Sequence, residues 1–186
     1  MGSYAVFLRG VNVGGINIKM ADLRDALKNC GFPDAKTLLA SGNVVFSSAL
    51  DAAAVKQDCE KCLRAAFGYD AWVVVLEAER VARLVQACPY PDDDKSTHTY
   101  ITISSDTAVL DELDAAGSAL ANHEQQRLAP EALAWLAPVG GTLDSPFSKI
   151  SAKSRFKAAT TTRNLRTMIK VRDAAASLAT GGASAP

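Results

Sequence analysis

Along the first 76 residues, strand-length apolar runs and helix-length amphipathic runs follow one another in a fixed order. That order constrains the fold more than any other feature. Residues 4–9 open with Tyr4-Ala5-Val6-Phe7-Leu8, β-branched and aromatic enough for a buried strand. Lys19 to Asn29 follows at helical spacing, with Met20, Leu23, Ala26 and Leu27 on one face. Gly31 and Pro33 stop it. Residues 36–41 and 43–48 are two short apolar runs about Gly42-Asn43, which is a hairpin signal. Asp51 caps a helix predicted to reach Phe67, with Ala54, Val55, Cys62, Leu63 and Phe67 facing inward, and Gly68 ends it. Residues 71–76, Ala-Trp-Val-Val-Val-Leu, close the series as a buried strand. Strand, helix, strand, strand, helix, strand is the ferredoxin-like order, an antiparallel sheet with two helices on one face.

The second half echoes the first. After a short helix over Glu77 to Ala87 and breaks at Pro89 and Pro91, residues 98–104 alternate as a strand. Thr107 to Ala116 is helical, and strands are predicted over 124–129 and 132–138. Asp144 to Lys157 reads as a helix with Pro146 in its first turn. Thr160-Thr161-Thr162 offer caps for a last helix reaching about Leu178. The expected fold is therefore α+β, with two ferredoxin-like (βαββαβ-type) halves, antiparallel sheets and C-terminal helices. The expected divisions are 1–78, 79–140, a C-terminal helical segment 141–178 packing back on the first half, and a disordered tail 179–186.

Composition narrows the functional classes. Apolar residues make up 48% and charged residues 22% of the 186, which supports a globular core. No apolar run approaches the roughly 20 residues of a membrane-spanning helix, and no secretory signal precedes the first strand, so a cytoplasmic protein is expected. In that setting Cys30, Cys59, Cys62 and Cys88 are expected as thiols. Cys59-Glu60-Lys61-Cys62 lacks the second ligand pair of a zinc site and lies inside a helix rather than opening one. His98 and His123 fit no compact metal motif, and Pro91-Asp92-Asp93-Asp94 reads as a solvated turn. No metal and no cofactor is expected.

Chemistry-bearing residues fall into three blocks. The first is Arg9-Gly10-Val11-Asn12-Val13-Gly14-Gly15-Ile16-Asn17, a glycine-rich loop between strand and helix. Bare N–H groups and a helix N-terminus attract anions at such a place. It is no G-x-G-x-x-G fingerprint. Nor is it a P-loop, because Ile16-Asn17 stand where Lys and Ser or Thr are required. A looser anion cradle on Arg9, Gly10, Asn12, Gly14 and Gly15 is left, beside the plain alternative that the glycines only permit a tight crossover. The second block, Ser41-Gly42-Asn43, is made of ordinary turn residues and meets the first only if register brings both to one sheet edge.

The third block is Thr162-Arg163-Asn164-Leu165-Arg166-Thr167-Met168-Ile169-Lys170. Read as a helix, it puts Arg163, Arg166, Thr167 and Lys170 on one stripe, where the guanidinium forks suit phosphate or carboxylate. Charge points the same way. From Lys149 to Arg172 there are eight basic and no acidic residues, whereas residues 1–148 hold twelve basic and nineteen acidic residues, a net of −7. An anionic partner and internal neutralisation both account for that asymmetry.

Arg9-Gly10-Val11-Asn12-Val13-Gly14-Gly15, Ser41-Gly42-Asn43-Val44-Val45-Phe46 and the Thr162–Lys170 block together resemble the signature blocks of the bacterial domain-of-unknown-function 1697 family. The similarity reaches to about residue 172, and Leu165 departs from the Trp usual after Arg-Asn. The resemblance implies ferredoxin-like halves and carries no assigned activity. The leading expectation is a small anionic ligand, phosphorylated or nucleotide-like, bound by Arg9, Gly10, Asn12, Gly14, Gly15, Ser41, Gly42, Asn43, Thr162, Arg163, Asn164, Thr167 and Lys170. Nucleic acid ranks below it, since aromatic content is 6% and Phe7, Phe46 and Trp72 lie in runs expected to be buried. The alternatives are a protein-interaction module and an enzyme acting on a phosphorylated or acyl substrate. In the enzyme, Arg9, Arg163 and Lys170 stabilise charge, Ser41 or Thr167 is the nucleophile and Asp22 or Asp25 the base. Nothing in the sequence sets an oligomeric state.

Overall fold

A computed structural model describes residues 1–11, 17–68, 70–92 and 94–181. It divides into two compact units, Met1–Ala82 with the segment from Ile169 onward, and Arg83–Met168.

The first unit is built from β1 (Gly2–Leu8), α1 (Met20–Asn29), β2 (Lys36–Leu38), β3 (Asn43–Ser48), α2 (Ala52–Phe67) and β4 (Val73–Glu77). The expected element order holds. The sheet runs β2-β3-β1-β4 and every pairing is antiparallel. Alternation splits β1 into two sets. Tyr4, Val6 and Leu8 join Leu23 and Leu27 of α1 and Val55, Cys59, Cys62 and Leu63 of α2 in one core, while Ala5 and Phe7 are buried on the opposite face. Each such large apolar side chain contributes about 1.5–3 kcal/mol. The Asp51 carboxylate accepts the Ala54 N–H at 2.8 Å and starts α2, and Gly68, at φ +66°, ends it. A short helix, α3 (Ala78–Ala87), follows β4.

The second unit contains β5 (Thr97–Ser104), α4 (Thr107–Ser118), β6 (Gln125–Ala129), β7 (Ala132–Pro138), α5 (Pro146–Ser151), α6 (Ser154–Lys157) and β8 (Thr160–Asn164). Its sheet runs β6-β7-β5-β8, the same arrangement as the first, again antiparallel. Leu110 and Leu113 of α4, Phe147 of α5 and Phe156 of α6 pack on Leu133, Trp135 and Ala137. Helix α7 (Leu165–Gly181) begins in this unit and runs on into the first.

Two expectations are corrected here. The single helix expected over Asp144–Lys157 is two short ones, because Lys153 adopts extended backbone (φ −61°, ψ 143°) between them. Thr160-Thr161-Thr162-Arg163-Asn164 is a strand, not the start of a helix. It pairs with β5 from Ser104↔Thr160 to Tyr100↔Asn164 and completes the second βαββαβ set. The three β-branched residues suit the pleat, and their hydroxyls find partners there. The last helix reaches Gly181, so residues 179–181 continue it, and the rest of the expected tail lies outside the described residues.

Candidate functional site

The register of the first sheet brings the first two blocks to one edge. Phe7 pairs with Asn43, and one residue further the Leu8 N–H donates to the Gly42 carbonyl at 2.8 Å. On the other side of β1, the Arg9 N–H donates to the Trp72 carbonyl at 3.0 Å. Arg9-Gly10, Ser41-Gly42 and Trp72 therefore leave the sheet at the same end.

Local chemistry sets the shape of that end. The β2–β3 connection turns through Leu39 (φ 59°) and Gly42 (φ 71°), both in the left-handed region. A Cβ on Gly42 would lie 3.0 Å from the Leu8 Cβ and 3.5 Å from the Val11 Cβ, so glycine is needed for both conformation and space. Asn43 is fully buried, and its Nδ2 donates to the Leu38 carbonyl and to Ser41 Oγ, each at 2.9 Å. Those bonds close the turn and leave Ser41 exposed at its tip. Arg9 is half-buried, and that desolvation lowers the pKa of its guanidinium. Asn12, Gly14 and Gly15, also expected at the site, lie outside the described residues.

The third block divides between strand and helix. Arg163 stands on β8 opposite Ile101, 8% exposed, and Nη1 donates to Thr161 Oγ1 at 2.6 Å and to the Thr162 carbonyl at 2.9 Å. Burial pulls its pKa down to about 10. Thr162 Oγ1 lies 2.8 Å from Thr102 Oγ1, which also accepts the Trp135 Nε1–H at 3.0 Å. The side-chain Oδ1 of Asn164 accepts the Arg166 N–H at 2.9 Å and starts α7. Thr167 is half-buried and Lys170 exposed on that helix. The expected single stripe of Arg163, Arg166, Thr167 and Lys170 is thus broken, because Arg163 belongs to a strand. Part of the basic window is neutralised internally, with Arg155 Nη1 3.4 Å from Glu112 and Arg172 Nε 2.8 Å from Asp173, while Arg166 Nε donates to the Asp92 carbonyl at 2.9 Å.

Two further expectations are overturned. Trp72, expected inside, is 52% exposed just ahead of β4, with Lys56 Nζ 5.6 Å from its ring centre. Cys30 and Cys62, expected as thiols, are disulfide-bonded, because α1 packed on α2 brings their Cα atoms to 6.1 Å. No spacing signal announces a bridge between residues 32 positions apart. Asp94 Oδ1 accepts the N–H groups of Ser96 and Thr97 at 2.6 and 3.1 Å, and Asp93 of the expected solvated turn lies outside the described residues. Among the described residues no group of three or more His, Cys, Asp and Glu is placed to hold a metal, and no helix is long and apolar enough to cross a membrane.

Comparison with known proteins agrees with this fold. A family profile described as "Protein of unknown function (DUF1697)" matches residues 1–133. No curated protein matches the chain. Among solved structures, the conserved bacterial protein SP0830 from Streptococcus pneumoniae superposes with a TM-score of 0.76 at 21% identity. The match covers 94% of this chain and 98% of that one.

Proposed function

The chain belongs to the DUF1697 family of proteins of unknown function, and from the end of its first sheet we propose that it binds a small anionic ligand there. The observation that carries this reading is the Leu8–Gly42 hydrogen bond, which joins the Arg9-Gly10 exit of β1 to the Ser41-Gly42 turn. A partly desolvated guanidinium favours phosphate or carboxylate over water, since its charge is poorly screened and its fork binds two oxygens at once. The exposed Trp72 indole, tied to Arg9 through its own carbonyl, favours an anion that carries an aromatic ring, such as a nucleotide.

Binding is supported over nucleophilic catalysis by the hydroxyl of Ser41. Its oxygen accepts a hydrogen bond from Asn43 Nδ2, which draws electron density away from the would-be nucleophile. Of the candidate bases, Asp25 is exposed and paired with Arg24 at 2.8 Å.

The test is thermal unfolding of the full chain against inorganic phosphate, nucleoside mono- and diphosphates and phosphorylated sugars. A ligand present at 100 times its dissociation constant stabilises by about 2.7 kcal/mol. Arg9→Ala removes that shift if the reading is right. No shift across the panel contradicts the proposal and favours a protein-interaction module.

A further inference from the structure

Helices α1 and α2 are joined covalently, and the two sulfurs of that bond differ in their surroundings. Cys30, which caps α1, is exposed and lines a cavity of about 620 Å³ with Phe32, Asp34, Ser47, Leu50 and Asp58. Cys62, on α2, is 3% exposed, and its Sγ lies 3.3 Å from the Ala26 carbonyl oxygen. One turn earlier on α2, Cys59 is fully buried. Its thiol is pushed up to about 12, chiefly by burial and further by Asp58 and Glu60, so it stays protonated and supplies no competing thiolate.

The segment after α1 is also held by contacts that do not involve sulfur. The Phe32 ring stacks on Phe46 with centroids 4.2 Å apart. The Asp34 carboxylate accepts the Ser47 N–H at 3.0 and 3.1 Å. Leu23 and Leu27 are completely buried. The bond is therefore an added clamp on a fold with other anchors, and its exposed residue, Cys30, lines that cavity.

We propose that Cys30–Cys62 is a reversible thiol–disulfide exchange site, opened by an external dithiol that attacks the exposed Cys30 sulfur. One thiolate of the dithiol bonds to Cys30 Sγ, the Cys30–Cys62 bond breaks, and the electron pair leaves on Cys62, which takes up a proton. The second thiolate of the dithiol then attacks its partner sulfur in the mixed disulfide and releases Cys30, which is protonated in turn. The products are two cysteine thiols and one oxidised dithiol. Oxidised glutathione runs the exchange in reverse and leaves two molecules of reduced glutathione.

The experiment treats the folded full-length protein with dithiothreitol, traps free thiols by alkylation and reads them by peptide mass. Direct attack predicts a reduction rate linear in dithiothreitol and unchanged by low urea, with the circular dichroism spectrum retained afterwards. A rate that saturates with dithiothreitol and accelerates with urea means the bond opens only through unfolding, and overturns the proposal. Loss of the folded spectrum on reduction does the same. Single variants give an independent reading. The Cys30 thiol in Cys62→Ser should react with a thiol reagent at least about tenfold faster than the Cys62 thiol in Cys30→Ser, because exposure governs attack. Equal rates, or four alkylated thiols after oxidised glutathione, contradict it.

Discussion

The two units share a blueprint and fill it with different chemistry. Both thread strand, helix, strand, strand, helix, strand, and both place the first strand third across the sheet and the last strand at the edge. In the first unit the last strand is the apolar Val73–Glu77, and the helices are clamped by a disulfide. In the second unit the last strand is Thr160–Asn164. Its hydroxyls and guanidinium sit among hydrogen bonds, and the helix at the place in the order that α2 holds in the first unit is broken into α5 and α6. The connection after the first strand differs most. Eleven residues separate Leu8 from α1, whereas Ser105 and Asp106 alone lead from β5 into α4, with Asp106 Oδ1 accepting the Ala108 N–H at 2.9 Å. A fold copied twice keeps its strand order when apolar alternation is kept. What can vary is the loops and the edge strand.

Breaking the device special to each unit measures how much each relies on it. The largest effect is expected from removing the disulfide clamp. A closed loop of this length, with cysteines 32 positions apart, corresponds to about 3–4 kcal/mol of chain entropy, read as a lower denaturant midpoint under reducing conditions. Next comes Thr102→Val, which takes the acceptor from Trp135 Nε1 and the partner from Thr162 at one buried position. We expect a loss of about 1–3 kcal/mol in chemical denaturation, with a visible change in the buried tryptophan's fluorescence. Gly42→Ala follows, at about 1–2 kcal/mol for a left-handed residue plus the contact with Leu8. A neutral Gly42→Ala would mean that the turn is free to rearrange, and the edge built on it would lose its basis.

The smallest effect is a pH dependence in the second unit. His123, stacked on Phe147 at 4.5 Å, has its pKa lowered below the ordinary 6.5, first by burial and against the opposing pull of the Gln125 hydrogen bond and Glu124. The unfolded chain then takes up the proton more readily than the folded one. The contribution of this group is fully present above about pH 6.5 and is lost as pH falls through the lowered folded value. His123→Gln should flatten the slope of stability between pH 7.5 and 5, measured by denaturant midpoints. An unchanged slope assigns the acid sensitivity to other groups.

Much of this was legible before any coordinates. Periodicity placed every element of the first unit within two or three residues, because Tyr4–Leu8, Asn43–Ser48 and Val73–Leu76 are apolar enough to have no competing reading. The Thr160–Thr162 run is ambiguous in sequence because threonine serves equally as a helix cap and as a strand residue, and only pairing with β5 decides between them. The disulfide and the exposure of Trp72 depend on how α1, α2 and β4 meet, which no local pattern carries. At the candidate site the sequence named Arg9 and Ser41-Gly42-Asn43. Register then showed that they share one edge, and that Asn43 spends its amide donors on closing the turn.

The most direct test of the anion-binding reading is a titration followed residue by residue. Backbone amide resonances of the full chain would be recorded as adenosine monophosphate is added, with sodium chloride as the ionic control. The account predicts saturable shifts at Arg9, Gly10, Ser41 and Gly42, together with the Trp72 indole, that chloride at equal ionic strength does not reproduce. Shifts confined to the exposed basic residues between Lys149 and Lys157, growing linearly with salt, would contradict it.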